Sequence, residues 1–301
     1  MITLAYKKFG IDISNYQKGI DFTKIVAEKA EFVILRGAYH LSKDAQFEEF
    51  YKKAKQKKLP VGVYVYTMAK TVSGAKQEAQ FLIDSVLKGK KFELPVYFDI
   101  EDEIYYSKTP SENSQLVRAF CDTLEEKGFF SGVYSSLSFF ENHLDDSMLK
   151  TYAHWVAQWS KECTYKNKDI LGMWQFGGET NEIRSNKIAG YVCDQNYMLT
   201  DYPKIIKEQK LNGFGGEKPS EVTGSMKKGD KGIGVYLLKK NLTILGKVGK
   251  ISQKLDDNGI YGDGTEDAVK QVQKLNGLKQ DGIVDAKTVK AIEKMISDLI
   301  K

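Results

Sequence analysis

Apolar and polar positions alternate in short runs along the first 200 residues. Runs at Phe9–Ser14, Phe32–Ala38, Val61–Thr67, Leu94–Glu101, Phe129–Ser135, Trp155–Trp159, Leu171–Phe176 and Ala189–Asp194 read as strands. Longer stretches between the early runs carry one apolar face at helical spacing. Thr71–Leu87 sets Ala75, Ala79, Leu82, Ile83 and Val86 on one side, and Ser111–Lys127 does so with Leu116, Ala119, Phe120, Thr123 and Leu124. Such β–α alternation predicts a parallel sheet, and about eight strands predict an α/β barrel of the TIM type. The spacing between runs shrinks after residue 150, so the barrel is expected to be irregular and poor in helices in its last third.

The pattern then breaks. Gly213, Gly215, Gly216, Pro219, Ser220, Thr223, Gly224 and Ser225 give residues 209–226 the composition of a flexible linker. Residues 1–208 would form the barrel and 227–301 a small all-α three-helix domain. In the latter, Val235, Leu238, Leu242 and Leu245 share a helix face. An internal repeat follows, in which Gly259, Ile260, Thr265, Ala268, Val269 and Val272 recur 23 positions later as Gly282, Ile283, Thr288, Ala291, Ile292 and Met295. Each copy reads as a tight turn, a polar cap and a short helix, with Asp263 and Glu266 placed for a capping box. The acidic stretch Asp256–Glu266 fails as a calcium loop, because Ile260 stands where an oxygen ligand is required.

Composition narrows the function classes. The chain has 301 residues, 42% hydrophobic and 28% charged, which is ordinary globular composition. Three cysteines supply no disulfide framework, and three scattered histidines supply no zinc site. No apolar run is long enough for a membrane span. Met1–Gly10 lacks the long apolar core of a cleaved secretion signal, so synthesis in the cytoplasm is expected. The net charge of +5 resides in residues 227–301, which hold 15 lysines against 10 acidic residues. A basic module suits an acidic partner such as an anionic wall polymer, or is simply a solvated surface. Nucleic acid is disfavoured, because the whole chain holds only three arginines.

The chemistry concentrates in Leu94-Pro-Val-Tyr-Phe-Asp-Ile-Glu-Asp-Glu103. In a strand, Val96, Phe98 and Ile100 face one way, and Tyr97, Asp99 and Glu101 the other. Asp99 and Glu101 would lie about 6.6 Å apart along that face. Asp12 alternates with Ile11 and Ile13 on the first run, and Asp194 closes the last one. Three strands would thus deliver acids to one barrel mouth. Crowded carboxylates cannot all stay ionised, so one becomes a proton donor near neutral pH while a neighbour remains an anion. Glycoside hydrolysis requires that pairing. The bland alternative is strand-end acids paired with lysine. A magnesium site lacks an accompanying phosphate-binding glycine loop. Tyr64, Tyr66, Tyr97, Tyr134, Trp155, Trp159 and Trp174 add flat rings suited to stacking on sugars, although each alone would be an ordinary core residue.

Gly10-Ile-Asp-Ile-Ser-Asn-Tyr-Gln17, Phe98-Asp-Ile-Glu101, Trp155-Val-Ala-Gln-Trp159, Met173-Trp-Gln-Phe176 and Asp194, in that order, resemble glycoside hydrolase family 25, the Chalaropsis-type lysozymes. The resemblance runs from about residue 6 to 203 and implies an irregular β/α barrel with N-acetylmuramidase activity. It makes Glu101 the general acid. Asp99 would stabilise the transition-state cation or orient the substrate's N-acetyl group, and Asp12 and Asp194 would complete the acidic floor. Tyr66 and Trp159 would line the muramic-acid site, with Tyr64, Tyr134, Gln175 and Arg36 as further sugar contacts. The family more often has Tyr where Trp159 stands. Residues 227–299 resemble a type-1 peptidoglycan-binding domain through Asn258-Gly-Ile-Tyr-Gly262, Thr265-x-x-Ala-Val269 and Asp281-Gly-Ile283. Val272 and Val289 replace aromatic residues usual in that module.

The expectation is a two-domain peptidoglycan hydrolase that needs no cofactor and no metal. Its partners would be bacterial peptidoglycan and anionic wall polymers, with the chain a monomer. As a phage endolysin it would reach the wall through a holin. A non-catalytic wall-binding protein is the first alternative, against which the intact acids speak. A wall amidase or peptidase is the second, but no zinc-ligand set or Cys–His pattern supports it. Met226 ends the linker. Translation starting there would release a free module able to associate with the full chain, whereas an ordinary linker methionine needs no such account.

Overall fold

The computed structural model describes residues 6–215, 225–230, 233–252, 255–256 and 259–299. Eight strands close into a barrel: β1 (Lys8–Ile13), β2 (Phe32–Tyr39), β3 (Val61–Tyr66), β4 (Val96–Asp99), β5 (Ser131–Ser136), β6 (Ala153–Ala157), β7 (Leu171–Gly177) and β8 (Asp194–Met198). Neighbours from β1 to β7 pair in parallel. The last strand, β8, runs antiparallel to both β7 and β1 and closes the ring. The sheet is therefore mixed, where alternation alone predicts a parallel one. The expected run Ala189–Asp194 is also displaced. Ala189 and Gly190 instead turn a small ribbon of Lys187–Ile188 and Tyr191–Val192, and the barrel strand begins at Asp194.

Seven helices accompany the barrel: α1 (Phe22–Ala27), α2 (Phe47–Gln56), α3 (Val72–Leu82), α4 (Pro110–Glu125), α5 (Leu137–His143), α6 (Asp146–Leu149) and α7 (Tyr202–Glu208). Helix α3 continues as a π-helical turn over Ile83–Leu87. The start of α4 follows from its sequence. Thr109 accepts from Glu112 N, the Glu112 carboxylate accepts from Thr109 N at 2.8 Å, and Pro110 occupies the first turn, where it loses no hydrogen bond. No described helix joins β6 to β7 or β7 to β8, in line with the shortened spacing after residue 150.

Strand alternation divides the core into two layers. Ile11, Ile13, Val33, Leu35, Val61, Val63, Val65, Val96, Phe98 and Val133 join the cluster under the helices. The opposite positions fill the barrel interior, where the Trp155 ring meets Tyr97 and Tyr134 with centroids 5.1 and 4.4 Å away. Gly132 makes this filling feasible, since a Cβ there would stand 2.7 Å from the Tyr97 ring. Side chains thus occupy the lower barrel and leave only its upper end open.

The chain divides into two compact units, the first extending to Lys207 and including Asn212–Phe214. Residues 212–214 therefore do not behave as the linker expected from 209. Asn212 Nδ2 donates to Leu94 O at 2.8 Å and its Oδ1 accepts from Phe130 N at 2.7 Å, which fastens the segment beneath β4 and β5. Residues 216–224 of the expected linker lie outside the described residues.

The second unit packs α8 (Ile233–Lys247), α9 (Asp263–Leu275) and α10 (Ala286–Ser297) around one core. Val235, Leu238, Leu242, Leu245, Ala268, Val269, Val272 and Ile292 are all buried in it. The repeated threonines, Thr265 and Thr288, are buried alike. The two copies differ at their caps. Asp285 caps α10 through Lys287 N and Thr288 N, but the equivalent residue is Gly262, which has no side chain to do so. Asp263 lies inside the first turn of α9, so the expected capping box is not formed. Glu266 instead pairs with Lys270 at 2.5 Å. Gln273 is the polar pin of the unit. Its Nε2 donates to Asp281 Oδ1 at 3.0 Å and Ile283 O at 2.9 Å, and its Oε1 accepts from Gly282 N at 3.0 Å. Met226 exchanges two backbone hydrogen bonds with Val284.

Candidate active site

The carboxyl ends of the parallel strands and the start of β8 meet at one end of the barrel. Because β8 runs backward, its first residue arrives where the other strands finish, and Asp194 lies directly across the ladder from Asp12. Asp99 is the last residue of β4. Regular strand geometry stops there, two residues short of Glu101, yet the pairing continues. Ile100 N donates to Tyr134 O at 3.1 Å and Ser135 Oγ donates to Ile100 O at 2.5 Å, which holds the Glu101 backbone at the mouth. Asp12, Asp99, Glu101 and Asp194 all line one cleft of about 370 Å³. Tyr64, Tyr66, Tyr134 and Arg36 line it too, together with Trp155, Tyr16 and Tyr39.

Four acids share this space, and each is shifted in the same direction. Burial, then the Asp12 and Asp102 charges, raise Glu101 to about 7. Burial, then Asp12, Glu101 and Glu179, raise Asp194 to about 8. Asp12 rises only to about 6, because hydrogen bonds from Asn196 and Gln175 offset part of its burial. Burial and the Glu101 and Asp12 charges push Asp99 well above the usual carboxylate range, and its buried Oδ1 has no hydrogen-bond partner among the described residues. The cluster therefore titrates as one set and retains protons at neutral pH.

Amide groups secure the floor. Asp12 Oδ2 accepts from Asn196 Nδ2 at 2.7 Å and from Gln175 Nε2 at 3.2 Å. Asn196 Oδ1 accepts from Trp155 Nε1 at 2.8 Å. Gln175 Oε1 accepts from Tyr134 OH at 3.1 Å and from Trp159 Nε1 at 2.9 Å. Gln175 is buried with both ends of its amide engaged, so it orients Asp12, Tyr134 and Trp159 instead of offering a free sugar contact. Trp159 stands at the rim. A Cβ on Gly178 would fall 2.1 Å from Asp194 Oδ1 and 2.5 Å from the Trp159 ring, so only glycine lets the two approach there. Arg36 is committed as well, to Asp44 at 2.9 Å and to Asn15.

Exposed rings border the cleft. Tyr16 is 80% exposed, Tyr39 46% and Trp159 41%. Tyr39 stacks on Tyr66 with centroids 5.2 Å apart and planes 10° apart, and Tyr66 OH donates to Asp102 Oδ2 at 3.1 Å. Large rings left in solvent beside a polar cleft are suited to the apolar faces of sugars. Sequence reasoning missed Asn196, Tyr16 and Tyr39 as site residues. Asn196 was accessible through parity, two positions after Asp194. Tyr16 lies beyond the end of β1, where periodicity carries no signal, and Tyr39 is the last residue of β2, one past the expected run Phe32–Ala38. Among the described residues, no group of three His, Cys, Asp or Glu is placed to hold a metal ion.

Acid-assisted cleavage of a glycosidic bond needs a proton donor retained at working pH and a negative group facing the sugar. Such an acid set, at the open end of a filled barrel and edged with aromatic rings, defines a glycoside hydrolase. The chain belongs to glycosyl hydrolases family 25, whose model matches residues 11–183. Residues 231–292 match the model of a putative peptidoglycan binding domain. The chain is similar to the autolytic lysozyme of Clostridium acetobutylicum, 25% identical over 271 residues that span 89% of this chain and 74% of that protein. Its fold is similar to that of the modular autolysin LytC from Streptococcus pneumoniae, with a TM-score of 0.56 and 23% identity, over 64% of this chain and 46% of that one. A family 25 glycosyl hydrolase from Bacillus anthracis gives a TM-score of 0.55 at 16% identity, over 70% of this chain and 94% of that one.

Proposed function

We propose that the chain is a lysozyme of the N-acetylmuramidase type, hydrolysing the β-1,4 bond between N-acetylmuramic acid and N-acetylglucosamine in peptidoglycan. The observation that carries this reading is Glu101, held at the mouth by the Ile100 backbone and protonated up to about pH 7. Glu101 gives its proton to the departing glycosidic oxygen. Asp99, facing the same space, orients the substrate's acetamido group or, once it has released its proton, stabilises the cation developing at the anomeric carbon. Asp12 and Asp194 hold sugar hydroxyls on the floor, and Tyr66 and Trp159 flank the muramic ring. The second unit binds the wall and raises local substrate concentration by tethering, its lysines adding attraction to anionic wall polymers. We place the protein among enzymes that lyse the wall, as a phage endolysin made in the cytoplasm and released through a holin.

The test is a digest of Gram-positive peptidoglycan, reduced with borohydride and analysed by mass spectrometry. Wild type should create muramitol ends, and Glu101→Gln none. Glucosaminitol ends, or new amino termini without reducing ends, would refute the assigned bond.

A further inference from the structure

Glu78 lies on α3, outside the cleft, and is wholly buried. A buried carboxylate without partners would be costly, and this one has three. It accepts from Thr67 Oγ1 at 2.6 Å and Met68 N at 3.0 Å, and lies 2.5 Å from His40 Nδ1. Those partners are not scattered. His40 directly follows Tyr39, and Thr67 and Met68 directly follow Tyr66. The backbone continues the link, since His40 N donates to Tyr66 O at 2.8 Å and Thr67 N donates to Asp99 O at 3.1 Å. His40 also sits in the left-handed region at φ 50°, a conformation that costs energy and persists where neighbours fix it from several sides.

One carboxylate therefore gathers the ends of β2 and β3 immediately behind the stacked Tyr39–Tyr66 pair. Tyr39 is half exposed, and its ring rests on that of Tyr66. We propose that Glu78 is a positioning residue for glycan binding: through His40 and the Thr67–Met68 backbone it fixes the Tyr39–Tyr66 pair as a rigid platform for a sugar ring. This rests on the glycan-cleaving function proposed above. Glu78 itself touches no substrate.

The test is calorimetric binding of a tetrasaccharide of alternating N-acetylglucosamine and N-acetylmuramic acid, in a Glu101→Gln background where nothing is cleaved. Glu78→Gln preserves the shape of the side chain and one of its two acceptor oxygens, enough for Met68 N and His40, and Glu78→Leu removes both. Leucine should weaken binding about fivefold, the range of one oriented aromatic contact, and glutamine should recover much of that loss. The deciding measurement is a cycle with Tyr39→Ala. If Glu78 acts through the platform, Glu78→Leu costs little further affinity once Tyr39 is gone. Additive losses, or unchanged binding by a Glu78→Leu protein that melts like its parent, would overturn the proposal. Should Glu78→Leu fail to fold, the same cycle with His40→Ala decides the matter. Absence of tetrasaccharide binding in the Glu101→Gln parent would sink the platform. Binding there, with no new reducing ends from wild type, would sink only the hydrolase reading.

Discussion

Replacing Glu101 with glutamine should stop catalysis and make the barrel more stable, and the second effect has a calculable pH dependence. Burial and neighbouring charge move Glu101 from 4.5 to about 7 in the folded chain. Between those values the folded state holds a proton that the unfolded state has released, so stability falls as pH rises through that window. Above about pH 7 the full penalty is present, ~3 kcal/mol by the free-energy equivalent of such a rise. Glutamine is isosteric and carries no charge. The variant should gain up to that amount at about pH 8 and almost nothing at about pH 4, where the native carboxyl is protonated in both states. All three tryptophans, Trp155, Trp159 and Trp174, belong to the barrel. Urea unfolding followed by tryptophan fluorescence at the two pH values therefore reports this unit. Hydrolysis of soluble glycan should fall by about a hundredfold or more, and the wild-type rate should decline as pH rises past about 7. A variant no more stable than wild type at pH 8, or one equally stabilised at both pH values, would refute this account of the acid cluster.

Other substitutions probe the supports of the site. Asn196→Ala strands the Trp155 indole N–H and removes a donor from Asp12; chemical denaturation should show a loss of ~2–4 kcal/mol, with reduced turnover. Gly178→Ala forces a methyl between Asp194 and Trp159. The protein should fold with unchanged circular dichroism yet lose about a hundredfold in turnover, as expected for a misplaced site group. Gln273→Leu leaves Gly282 N and Ile283 O without their buried partner, at a cost of ~2–3 kcal/mol. Wall sedimentation should lose its binding while cleavage of soluble glycan persists.

The barrel was legible because its outward strand positions are almost continuously Val, Ile, Leu and Phe, and because Leu116, Ala119, Phe120 and Leu124 recur at helical spacing between two of the strands. The acids were legible through parity: Asp12 and Asp99 sit opposite apolar neighbours. The direction of β8 was not, because period-two alternation is the same whichever way a strand runs. The ribbon at Lys187–Val192 resembled a strand for the same reason. Gln175 looked like a substrate contact because sequence shows a polar residue on the inner face but not whether its amide is already taken. Glu78 gave no signal at all. Within a helix, an acid that serves the core reads like one that serves solvent until the packing is known.

The reversed closing strand also decides how the protein can be rearranged. With β8 ending at the floor, α7 and the Asn212 anchor lie under β4 and β5, so the chain departs from the barrel end remote from the cleft. β1 begins at that same end, since Asp12 near its finish is at the mouth. Both described ends of the barrel unit thus lie at the end opposite the acid cleft. A domain joined at either of these ends would be attached at the floor of the barrel, not at the rim that holds the acids.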